Sequence, residues 1–244
     1  MANAHDFGGS QTSFPDASAD PLSPEEAVSV EIQALPALIS EPNVDDQWVA
    51  HAVDAVETAI TKLVDQFLKH PFTHRVEHSL HVQLYQLLSE SHQLSGMHPI
   101  GNTGFKTQLI HKEWPETKPR PGKNGRGSFD LAILSPHQLA NVQNIEQFIH
   151  GRIAAPIVVE LGLGYQDVHL GGDVGKLLAS KIQHPYLVHF SRLRSNKRSA
   201  TEAMIAELRL PIKIAYVHHD IEGKKVFCKH LDSLVIDKTD YSAE

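Results

Sequence analysis

Pro156-Ile157-Val158-Val159-Glu160-Leu161-Gly162 is an apolar run with a single acid at its centre. Its length and β-branched content read as a buried strand. A carboxylate inside such a strand is costly unless a cation or hydrogen-bond donors meet it. A second stretch of the same kind lies upstream, Ser128-Phe129-Asp130-Leu131-Ala132-Ile133-Leu134. Two strands that each carry one inward acid point to a divalent-metal site.

Working outward from these strands, the periodicity alternates between helix and strand. Residues 1–43 are rich in Ser, Ala, Asp, Pro and Gly without a sustained period, and read as a mostly disordered tail. Residues 44–72 read as a helical extension, with Val49, Val53, Val56, Ile60, Leu63, Val64 and Phe67 on one stripe and Pro71 beyond its end. A second helix is expected over Thr73–Ser91, carrying Val76, Leu80, Leu84, Leu87 and Leu88. Lys106–Trp114 reads as a strand joined by a basic loop to Ser128–Leu134. Ser135-Pro136 is a helix start and Gly151 its stop. After the strand Ile157–Leu163, Asp173 is expected to cap a helix running to Gln183. Tyr186–Phe190 and Ile212–Val217 read as strands around a helix over Ala200–Leu208. The expectation is an α/β mixed sheet flanked by helices, with one domain over residues 73–240.

The 244-residue chain carries a net charge of −7, which does not advertise a nucleic-acid binder, but its positive charge is clustered. Lys118, Arg120, Lys123 and Arg126 share one Pro/Gly-rich loop suited to phosphate contacts, and Arg192, Arg194, Lys197 and Arg198 share another. A single cysteine, Cys228, excludes an internal disulfide or a cysteine-based zinc site. No window approaches the roughly 18 apolar residues of a membrane span. The N-terminus lacks a secretory pattern, so a cytoplasmic location is expected. The apolar 45–69 helix either covers the core or mediates a homodimer.

Asp130 and Glu160 occupy equivalent central positions of strands able to lie side by side. Carboxylates brought together repel, and a hard cation such as Mg²⁺ or Mn²⁺ is the economical partner. Glu77 is a third acid, beside the apolar stripe of the second helix and able to look toward the sheet. This arrangement resembles the PD-(D/E)XK nuclease superfamily, with its restriction-endonuclease-like fold, over residues 73–191. A helix with Glu77, a hairpin with Asp130 and a third strand with Glu160 follow the family order. The resemblance implies metal-dependent hydrolysis of phosphodiesters, DNA being the expected partner. In that scheme Asp130, Glu160 and Glu77 serve the metal, and a lysine helps orient or activate the attacking water.

One departure is serious. Gly162 stands where the family pattern has lysine. Lys176 is the favoured replacement, expected in the first helical turn after Glu160, with Lys181 as the other candidate. The alternative is a catalytically inactive domain that binds nucleic acid or protein. His74 and His78 have a spacing able to hold zinc, but the chain lacks the His-Glu-x-x-His order of a zinc protease. The glycines at 162, 164, 171 and 172 fit neither G-x-G-x-x-G nor the P-loop.

Overall fold

The computed structural model describes residues 46–117, 125–164, 167–180, 182–193, 211–221, 225–231 and 236–239. Two helices come first, α1 (Asp46–Lys69) and α2 (Glu77–Ser89). A short hairpin of β1 (His98–Pro99) and β2 (Lys106–Thr107) precedes β3 (Ile110–Pro115) and β4 (Ser128–Ile133). Then come α3 (Pro136–Ala140), α4 (Ile145–Ile149), β5 (Ile157–Leu163), α5 (Asp167–Ala179) and β6 (His184–Leu193). The described order closes with β7 (Lys213–Asp220), β8 (Lys225–His230) and β9 (Ile236–Thr239).

Strands β3 to β9 form one seven-stranded sheet in chain order. β5, β6 and β7 run parallel, while every other neighbour in this sheet is antiparallel. The expected mixed α/β architecture is therefore present. β5 is buried on both faces from Ile157 to Gly162, which is why its sequence is continuously apolar. On one side, Ile157, Val159 and Leu161 share a core with Ile60, Leu63 and Phe67 of α1 and Leu80, Leu84 and Leu88 of α2. On the other, Val158 packs in a second core with Leu139 of α3 and Leu170 and Leu177 of α5. Period-two alternation along β5 consequently turns Glu160 toward the α5 side.

α1 is built into this architecture, since its stripe lies in the same core as the sheet. Glu57 ties it down by accepting hydrogen bonds from the buried Tyr186 hydroxyl of β6 and from Lys213 of β7. The apolar surface that could have served a homodimer is thus buried within the chain.

Several boundaries differ from expectation. α2 starts at Glu77, because residues 73–76 form a turn in which the Ser79 hydroxyl donates to the Val76 carbonyl at 2.6 Å. The single strand expected over 106–114 is divided, β2 pairing with β1 and β3 with β4. Ser135 does cap a helix, in a reciprocal capping box with Gln138. That helix ends at Ala140, and Asn144 caps a second one. α5 begins at Asp167, which puts Asp173 in mid-helix and Lys176 beyond its first two turns. Gly171, Gly172 and Gly175 lie inside α5, and such residues read as a turn because each weakens a helix by about 0.5–1 kcal/mol. β8 and β9 were not expected, and the helix expected over 200–208 lies outside the described residues.

His189 of β6 is 1% exposed and stacks almost parallel to Tyr216, with 5.6 Å between ring centroids. Burial pushes its pKa down to about 4, against a smaller upward pull from Glu77. A depressed histidine pKa gives stability that is complete above the ordinary value of 6.5 and is lost as pH falls toward 4. His189→Phe keeps a ring in the stack and removes the titration. In urea titrations compared at about pH 7.5 and about pH 5, this variant is expected to recover about 2 kcal/mol of the wild-type loss on acidification.

Candidate active site

The ladder between β4 and β5 runs from Ile133–Ile157 to Leu131–Val159. Beyond it a side chain takes over, the Asp130 Oδ2 accepting the Leu161 N–H at 2.7 Å. The two acid-bearing strands therefore meet through a carboxylate, with Glu160 immediately before Leu161. Glu160 is almost fully enclosed, its side chain 1% exposed. Lys176 reaches it from α5, donating from Nζ to Glu160 Oε2 at 2.7 Å and to the Ser128 carbonyl at 3.2 Å. The same ammonium lies 3.5 Å from Asp173 Oδ1, one turn earlier on α5. From the opposite layer α2 contributes Glu77 and, one turn on, His81. His81 Nε2 is 3.6 Å from Glu77 Oε1 and 3.9 Å from Asp130 Oδ2.

The electrostatics follow from this crowding. Burial raises the Glu160 carboxyl well above the usual range, and the nearby Asp130 charge adds to it, against the opposing pull of Lys176. Asp173 is raised as well, first by burial, with Asp130 and Glu77 adding to it and Lys176 opposing. Burial works to lower the Lys176 ammonium, but Glu160, Asp173 and Asp130 together outweigh it and hold its pKa above the ordinary value. Four carboxyl groups (Glu77, Asp130, Glu160 and Asp173) thus share a region with one ammonium, and positive charge is in short supply.

Glu160 Oε1 is buried without a hydrogen-bond partner among the described residues, so one carboxylate oxygen remains available to a cation. Among the described residues no group of three His, Cys, Asp or Glu side chains forms a ready-made metal cage. The donor set still fits Mg²⁺, which keeps several waters and is commonly held by one or two carboxylates plus substrate oxygens. Asp130 and Glu160, with Glu77 nearby, are the residues that would hold it.

Of the residues singled out in the sequence, Glu77, Asp130, Glu160 and Lys176 come together. Lys118, Arg120, Lys123 and Lys181 lie outside the described residues. Arg126 is a strut: its guanidinium donates to the Gly151 carbonyl at 3.0 Å, to that of Glu116 at 3.3 Å and to that of His150. The histidine spacing that suggested zinc does not survive folding. His74 precedes α2 and bonds to the Ser79 hydroxyl, while His78 meets Lys112. Sequence reasoning missed Asp173, taken for a helix cap, and His81, whose i+4 relation to Glu77 was the available signal.

No protein-family model, no curated protein and no solved structure matches this chain. Function must therefore be read from the site.

Lys176→Met would leave Glu160 enclosed with its main positive partner gone. Because the Glu160 pKa is raised, the stability tied to its proton is complete below the ordinary carboxylate value of 4.5 and is lost as pH rises through the raised value. The variant is expected to lose about 3 kcal/mol near neutral pH. Chemical denaturation across a pH series should show that deficit shrinking on acidification. Adding Glu160→Gln should recover most of it.

Proposed function

We propose that this chain is a metal-dependent nuclease of restriction-endonuclease-like fold that hydrolyses phosphodiester bonds, with DNA as its substrate. The observation that carries the reading is the Lys176–Glu160 contact at 2.7 Å, beside Asp130 on the neighbouring strand. It supplies a lysine to the acids even though Gly162 stands at the usual lysine position. Support for a cation comes from the excess of carboxylates and from the unpartnered Glu160 oxygen.

Bound Mg²⁺ or Mn²⁺ would stabilise charge on the phosphate and lower the pKa of a bound water. Asp130 and Glu160 hold that ion, and Glu77 supports it or orients its water. Asp130 is itself fixed by the Leu161 N–H, so its carboxylate is oriented before any ligand arrives. Lys176 is held by Glu160 and Asp173, which aims its ammonium at the acids, where it can orient the attacking water. Water oxygen attacks phosphorus, the P–O ester bond breaks, and the departing oxygen leaves as a hydroxyl once protonated. The basic loop containing Lys118, Arg120 and Lys123 would contact the phosphate backbone.

A second reading keeps the fold without the chemistry, as a nucleic-acid-binding or protein-interaction module. Gly162 favours it. Plasmid nicking in Mg²⁺ or Mn²⁺ separates the two. Wild type is expected to nick and to stop on chelation, whereas Asp130→Ala, Glu160→Ala and Lys176→Ala each lose about a hundredfold or more. Metal-independent inactivity of folded wild type would favour the binding module. Unchanged nicking by Lys176→Ala would remove the displaced lysine from the mechanism.

A further inference from the structure

His81 sits where a nuclease of this kind has no need of an imidazole. It is 5% exposed, and neither ring nitrogen has a hydrogen-bond partner among the described residues. Leaving polar ring atoms enclosed without partners is costly. Core packing gives no reason to keep them, since Leu80, Leu84 and Leu88 already fill the apolar face of α2. What distinguishes the position is its neighbours, the Glu77 carboxylate at 3.6 Å and the Asp130 carboxylate at 3.9 Å. Both separations exceed hydrogen-bond length. Both fall between the ligand–ligand distances of about 3.0 Å (adjacent) and about 4.2 Å (opposite) that metal bonds of about 2.1 Å impose.

We propose that His81 is a nitrogen ligand to the ion held by Asp130 and Glu77, and that it biases the site toward Mn²⁺ over Mg²⁺. The proposal rests on the metal-dependent reading above. Imidazole is a borderline donor that suits transition metals, while Mg²⁺ takes oxygen almost exclusively. The geometry permits the ligation with little rearrangement. Glu77 opens α2 and His81 follows one turn later, so both project from one helical face. Asp130 faces them with its Oδ2 anchored by Leu161, which leaves Oδ1 for the ion. Glu77, with two side-chain methylenes, can close the remaining gap by rotation. Glu160 and Lys176 lie on the far side of Asp130, so the nitrogen does not compete with the lysine.

Pulsed electron paramagnetic resonance on the full chain loaded with Mn²⁺ reads this directly, because a ligating imidazole couples its ¹⁴N nucleus to the metal electrons. Wild type is expected to show the coupling, His81→Gln to lose it, and His78→Gln to retain it as a neighbouring control. Calorimetry on the same samples should show His81→Gln weakening Mn²⁺ about tenfold or more while Mg²⁺ changes much less. Mn²⁺ that binds wild type without ¹⁴N coupling overturns the proposal and leaves the nuclease reading intact. Coupling that persists in His81→Gln overturns it in the same way. Wild type that binds no Mn²⁺, or binding indifferent to both Asp130→Ala and Glu160→Ala, overturns both. Should His81→Gln fail to fold, the wild-type spectrum compared with His78→Gln still decides whether a nitrogen ligates.

Discussion

The Lys176–Glu160 pair is the constraint around which the rest is arranged. A carboxylate enclosed in a strand covered on both faces must either keep its proton or meet a cation, and α5 docks with Lys176 directed at it. That contact links the sheet to its helical layer through two charges, where Val158, Leu170 and Leu177 would suffice for packing. An apolar pair of similar volume would serve stability at least as well. Retaining the charges, with Asp173 and Asp130 in range, is a cost explained by chemistry.

The two helical layers contribute unequally to the site. α5 supplies the ammonium and Asp173, whereas α2 supplies Glu77 and His81 from the opposite side. They meet because the β4–β5 ladder ends at Leu131–Val159 and Asp130 bridges to Leu161 by its side chain. Asp130 therefore has two occupations: satisfying a main-chain N–H that the ladder leaves over, and presenting charge to both layers. α1 stabilises this arrangement from a distance. It covers the face opposite α5, and Glu57 holds it to β6 and β7.

Much of this was legible in the residues. The stripe on α1, the apolar faces of α2, the Ser135 cap and the acid-bearing strands β4 and β5 all follow from period, capping chemistry and the cost of burying charge. The boundaries that moved did so for local reasons. α5 was read as starting late because its glycines imitate a turn, and only docking against β5 and β6 makes helix the better state there. β8 shows little signal because Lys225 and Lys229 interrupt Val226, Phe227 and Cys228, and pairing with β7 is what holds it as a strand.

By itself, the sequence determined that acids would lie inside two strands and that a helix acid and a helix lysine were available to them. Periodicity is a local property, so it reports which face a residue occupies. Only the tertiary structure decided that Lys176 meets Glu160, that Asp173 belongs with them, and that His81 stands between Glu77 and Asp130. These contacts join residues 16 to 49 positions apart or more than one layer, and no local pattern encodes the separation of layers. Their distances come from sheet register and from how helices settle on its two faces, which packing of the whole core sets.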